Sequence, residues 1–182
     1  WLSRITGQSP ADLTRPLGDQ LSVPGAVRFL PYLSGERTPH NDAKIRGQFL
    51  HLDHATDAQA ATRAVLEGVA FAFADCRDAL ASTGTQVQSA LALGGGAKSD
   101  YWLKVLATAL GFPLHSPTAG DFGAALGAAR LGICAATGAA AETVMTPPAV
   151  ADEVAPDAAL VPAFADAHAA FRAAYPALKA VQ

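Results

Sequence analysis

The segment Leu91 to Trp102, LALGGGAKSDYW, sets three consecutive glycines between a short apolar run and a helical stretch. A side-chain-free turn at that place lets a flat or charged group reach the main chain, and the first amides of the following helix supply hydrogen-bond donors. That is nucleotide-binding chemistry, and spacing decides which kind. A P-loop needs glycine directly before its lysine and again five residues earlier, but Ala97 and Ala92 occupy those positions before Lys98. The dinucleotide fingerprint is met at Gly94 and Gly96 only; Ser99 stands where a third Gly or Ala would let helix and strand pack, and no acidic residue ends the next strand.

A second group of chemistry-bearing residues lies in SGERTPHND. Glu36, Arg37, His40 and Asp42 either face a cleft and touch sugar or phosphate, or tie down a charged surface loop among themselves. His51 and His54 lack a third ligand at helix or strand spacing, so they read as structural rather than as a metal pair. Cys76 and Cys134 show neither metal-ligand spacing nor a disulfide framework, which suits a reducing cytosol. Trp102, Phe71 and Phe73 sit at helical spacing and read as core.

Composition narrows the classes. The 182 residues are 51% hydrophobic and only 16% charged, against about 25% charged in a typical domain. Some of that apolar excess is expected to face a partner or a further part of the same polypeptide. A net charge of -3 with no basic run argues against nucleic acid as a partner. No apolar stretch approaches the roughly 20 residues of a membrane span. The chain opens on Trp1 without methionine or a signal-like segment, and reads as a piece cut from something longer.

The positioning elements alternate. Residues 1–6 read as a helix end stopped by Gly7, residues 27–33 as a strand and residues 47–52 as another. Thr56 and Gln59 form a capping box for a long helix reaching Thr83, with Ala61, Val65, Leu66, Val69, Phe73, Cys76 and Leu80 as its apolar face. Residues 90–93 read as a strand buried on both faces. Ser99 then caps a helix ended by Gly111, and residues 113–116 form the next strand. Asp121 caps a small-residue helix to Thr137, where Gly123 and Gly127 allow close backbone approach. A Pro- and Ala-rich connector leads to a last helix, residues 163–179, with Pro176 at its frayed end. The pattern indicates an α/β layered domain.

These segments in this order, FLPYLSGERTPHND, RAVLEGVAFAFAD, LALGGGAKSDYW and TAGDFGAALGAARLG, resemble the C-terminal half of carbohydrate kinases of the FGGY family, its xylulose kinases in particular. The resemblance covers residues 1–175. It implies an actin-like ATPase (ribonuclease H-like) fold of two domains with ATP and sugar in the cleft between them, residues 1–182 forming most of the C-terminal domain. It further implies an adenosine seat at Gly94, Gly95, Gly96 and Ala97, with Asp100 at the helix start, and a hinge helix through Gly123, Gly127 and Ala128.

The implied reaction is phosphorylation of D-xylulose by ATP with Mg²⁺, giving xylulose 5-phosphate in the cytoplasm. The base, the sugar-binding residues and the phosphate loops of such enzymes lie upstream, so the resemblance assigns no catalytic residue here. It leaves room for a homodimer. Alternatives are a kinase for another sugar or polyol, a non-catalytic nucleotide-binding module, and an NAD-dependent domain. In one place the sequence departs from the family pattern, which has glycine where His51 stands.

Overall fold

The structure, a computed structural model, describes residues 1–118 and 123–181. Local chemistry sets its opening. Gly7, at φ 70°, ends α1 (Leu2–Thr6), and Ser9 starts α2 (Pro10–Thr14) by accepting the Asp12 amide while Pro10 fills the first helical position. The polar stretch that follows is held from the rest of the chain: Gln59 donates to the Pro16 carbonyl, Lys104 to that of Asp19, and Arg63 to those of Ser22 and Val23.

Two strands, β1 (Arg28–Leu30) and β2 (Gln48–Leu50), pair antiparallel with Phe29 opposite Phe49, their rings 4.6 Å apart. Trp1 stacks on Phe29 at 5.5 Å. Next comes the long helix α3 (Ala58–Ser82). Its cap is Asp57, whose carboxylate accepts the Ala60 amide at 2.8 Å. The expected Thr56 and Gln59 box does not form, because Thr56 bonds the Asp53 carboxylate at 2.8 Å and the Gln59 amide goes to Pro16. An equally good cap stands one residue later, so the helix begins there.

The buried face of α3 also differs from expectation. Ala64, Glu67, Gly68, Phe71, Ala74 and Asp75 are buried, whereas Phe73 and Leu80 of the predicted stripe are 51% and 48% exposed. The helix is apolar around most of its circumference, so periodicity alone does not choose a side. Small residues choose it, since Gly68 lets the β1 backbone approach until an added Cβ would lie 2.0 Å from the Phe29 carbonyl oxygen. Glu67 on this face receives Arg63 Nε at 2.7 Å and the Gly25 amide at 3.1 Å. Burial pushes its carboxyl above the ordinary range, while Arg63 draws it back.

The second half alternates as expected. After β3 (Ala90–Leu91) come α4 (Asp100–Leu110), β4 (Leu114–Pro117), α5 (Gly123–Thr137) and the one-turn α6 (Ala141–Val144). The connector then holds an unforeseen strand, β5 (Val150–Val154), before α7 (Val161–Val181). The sheet order is β3-β4-β5, the first pair parallel and the second antiparallel. The strand expected at residues 90–93 is shorter and less covered, with Leu91 and Leu93 44% and 48% exposed.

Pro176 lies inside α7 rather than at a frayed end, because Tyr175 and Leu178 are buried and tertiary packing outweighs the lost hydrogen bond. A core of Leu30, Phe71, Tyr101, Val105, Phe164 and Phe171 joins β1, α3, α4 and α7. By contrast α5 has no buried residue; Gly123 abuts Leu93, and nothing lies within 4 Å of an added Cβ at Gly127. Asp121, its expected cap, lies outside the described residues. No helix among the described residues is long and apolar enough to cross a membrane.

Two substitutions test this packing. Gly68→Ala should cost upward of about 3 kcal/mol in urea unfolding, as overpacking against backbone does, whereas Gly132→Ala, with nothing within 4 Å, should be neutral or gain up to about 1 kcal/mol. Equal effects would refute the close contact. His51 carries φ 61°, so His51→Gly should raise stability by roughly 0.5–1 kcal/mol, relief of the left-handed strain exceeding the entropy of glycine.

Candidate nucleotide site

The chain leaves β3 into Gly94 at φ 84° and ψ -172°, backbone angles that essentially only glycine adopts. A short 3-10 turn, Gly95–Lys98, follows, closed by the Ala97 amide on the Gly94 carbonyl and the Ser99 amide on that of Gly96, each at 3.1 Å. Ser99 Oγ then accepts the Trp102 amide and starts α4, as its sequence signal predicted. Gly111, at φ 72°, ends that helix.

The three glycines answer different needs. Gly94 is required by its backbone angles, and at Gly96 an added Cβ would meet Trp102 Nε1 at 3.3 Å. Gly95 has neither reason, because nothing lies within 4 Å of its added Cβ and its φ is ordinary. No internal contact of the described residues explains glycine there. The exposed side of the turn, formed by Gly94 and Gly95, is unobstructed, and the first amides of a helical turn have no partner within it. Such a surface can take the flat face of a ring and offer donors to polar groups beside it. Ala97 is half-buried, while Asp100 is exposed in the first turn of α4, where a carboxylate faces the positive end of the helix.

On the Gly96 side lies a pocket of about 330 Å³ lined by Phe73, Leu91, Leu93, Trp102 and Leu106, among others. Gly94 and Gly95 do not line it, so two surfaces of opposite character meet at the turn.

The polar loop is tied down, but by backbone amides and by α7 rather than by ion pairs among its own side chains. The Glu36 carboxylate accepts the His40 amide at 2.7 Å, and the His40 ring stacks on Tyr175 at 3.5 Å. Asp42 accepts the Lys44 and Ile45 amides and the Tyr175 hydroxyl at 2.9 Å, with Lys179 Nζ 3.6 Å away. His40 and Asp42 therefore fasten α7, and Glu36 holds His40 in place; Arg37 alone of the four is exposed. His51 and His54 are exposed, and among the described residues one group has metal-ligand spacing: Asp75, Asp78 and His168, between α3 and α7. His168 bonds Asp75 at 2.9 Å, and Arg172 lies 3.5 and 3.6 Å from the two carboxylates, so a guanidinium already holds that place.

Comparison with known proteins follows this geometry. The family model described as the C-terminal domain of the FGGY family of carbohydrate kinases matches residues 8–136. The chain is 46% identical to the xylulose kinase of Escherichia coli (strain K12) over 139 residues, which are 75% of this chain and 28% of that one. It is 42% identical to the xylulose kinase of Klebsiella pneumoniae over 133 residues, 72% of this chain and 27% of the other. A crystal structure described as a xyloylose kinase from Brucella ovis superposes with a TM-score of 0.92 at 55% identity, covering 100% of this chain and 38% of that one. The chain thus spans less than two fifths of the length of these relatives, and its fold is the actin-like ATPase fold of such kinases.

The Asp42 fastening has a pH signature. The Lys44 amide, the Tyr175 hydroxyl and the Ile45 amide, with Lys179 nearby, hold its carboxyl below its ordinary value of 3.8. A lowered folded-state pKa gives stability that is present above that ordinary value and lost as pH falls through the folded one. Asp42→Asn should therefore flatten the acid side of the stability profile below about pH 4, followed by circular dichroism melts. Parallel acid loss in parent and variant would refute the assignment.

Proposed function

We propose that this chain, which belongs to the FGGY family of carbohydrate kinases, supplies the adenosine-binding part of an enzyme that transfers the γ-phosphate of ATP to the 5-hydroxyl of D-xylulose. The observation that carries the nucleotide part is Gly95, a glycine that no contact of the fold explains, on the open side of a strand-to-helix turn. Adenosine would lie against Gly94, Gly95 and Gly96, with Ala97 and Asp100 at the helix start. A side chain at Gly95 would hold a ring off the backbone by more than an ångström. The choice of sugar is supported by the relatives named xylulose kinases, at 46% and 55% identity.

Phosphoryl transfer asks for in-line positioning, charge neutralisation at the terminal phosphates and a base for the attacking hydroxyl. ATP chemistry of this kind uses Mg²⁺, but the residues described here do not fit it. The turn carries Asp100 as its one carboxylate, and the Asp75, Asp78 and His168 group is already paired with Arg172. No catalytic step is assigned to this chain, whose part is to hold adenosine and, through α5, to join the other domain. Most of the protein, with its phosphate-binding and sugar-binding residues, is proposed to lie N-terminal to it.

In the whole enzyme, Gly95→Leu should weaken ADP and ATP binding at least about tenfold, or 1.4 kcal/mol, without a change in melting temperature, since the fold leaves that position open. Calorimetric titration showing unchanged affinity would overturn the adenosine assignment. Residues 1–182 alone should produce no sugar-dependent ADP; measurable turnover would show that the transferring groups are in this chain after all.

A further inference from the structure

One side chain braces the glycines of the turn. Beyond their chain neighbours, the only side-chain atoms within 4 Å of an added Cβ at Gly94, Gly95 or Gly96 are Nε1 and Cδ1 of Trp102, at 3.3 and 3.4 Å from Gly96. The turn's own hydrogen bonds, Ala97 to Gly94 and Ser99 to Gly96, are local, and they set its shape rather than its height over the core. Trp102 stands where such a brace must come from. A helical side chain leans toward the N-terminus of its helix and covers the turn before it, which brings residue 102 of α4 back against residue 96. The far side of the ring is anchored: Trp102 is half-buried and packs against the core cluster that contains Phe71, Val105 and Phe164. An indole spans this distance with two rotatable side-chain bonds, so fixing it costs little freedom.

We propose that Trp102 is a positioning residue for the nucleotide: its indole edge sets the height of Gly95 and Gly96 above the core, and so the plane against which adenosine lies. It acts through the turn and not by contact, because the ring meets the turn at Gly96 while Gly94 and Gly95 stay open on their exposed side. The proposal rests on the adenosine reading of that turn. Glycines have no side chains of their own to keep a loop from sinking, so a shorter residue at position 102 would let the turn settle into the space the ring leaves. The start of α4 would survive such a change, since Ser99 is capped onto the backbone amide of residue 102, which every substitution but proline keeps.

ADP affinity and steady-state kinetics of the whole enzyme test this. Trp102→Leu keeps an apolar side chain but removes the edge beneath Gly96. It should raise the Kd for ADP and the KM for ATP at least about fivefold, while the KM for the sugar and kcat move less than about twofold. Gly96→Ala, whose methyl would press on the indole at 3.3 Å, should weaken ADP in the same way. In the double variant that methyl takes up the space the ring has left, so the loss should be smaller than the product of the two single losses, as for residues in contact. Trp102→Phe keeps a ring in the core, guards against a failure to fold, and should show a smaller loss confined to the same parameters. Losses that multiply, or KM values for ATP and sugar that rise together, would overturn the proposal and leave Trp102 as general packing. Gly95→Leu separates the two readings. If it binds ADP normally, the seat is gone and the role of Trp102 with it; a loss there with none in Trp102→Leu removes the brace alone.

Discussion

The contact on which this molecule is built is the approach of the β1 backbone to Gly68. An added methyl group there would overlap the Phe29 carbonyl, so the strand and α3 lie as close as two main chains can. That closeness fixes the rotation of α3, and the rotation fixes the rest. It turns Glu67 inward, where Arg63 and the Gly25 amide must satisfy it, and Asp75 inward, where His168 and Arg172 must. A buried carboxylate without partners would cost several kcal/mol. The segments that carry those partners, residues 22–25 and α7, are therefore held in place by the same choice.

How much of this could be read from the residues depends on how local the cause is. Ser99 and Gly111 bound α4 where expected, because capping involves neighbours three or four positions apart. The glycine turn was legible for the same reason. The face of α3 was not: a helix that is apolar nearly all round carries no periodic signal for which side meets a partner, and the small residues that decide it look like weak core formers. β5 escaped notice because four of its five residues are exposed, so neither alternation nor an apolar run marks it.

Distance along the chain hides the rest. Glu36, His40 and Asp42 look like a reactive cluster when only their own segment is visible. Their partner Tyr175 is 133 positions away from Asp42, and a bond over that span leaves no trace in local pattern. His51 is the converse case. The φ of 61° there is a backbone demand that glycine meets freely; histidine occupies the same conformation with strain.

The C-terminal helix carries a consequence for where this module ends. The sequence match to the family stops at residue 136, yet Phe164, Phe171 and Tyr175 of α7 are packed into the same core as Phe71 and Tyr101. The stretch matched by the family model is thus shorter than the stretch that must fold together. A boundary drawn at the end of that match would strip three aromatic rings from the interior and uncover Asp75. In this protein the tail beyond the family-model match acts as the keystone of the folding unit.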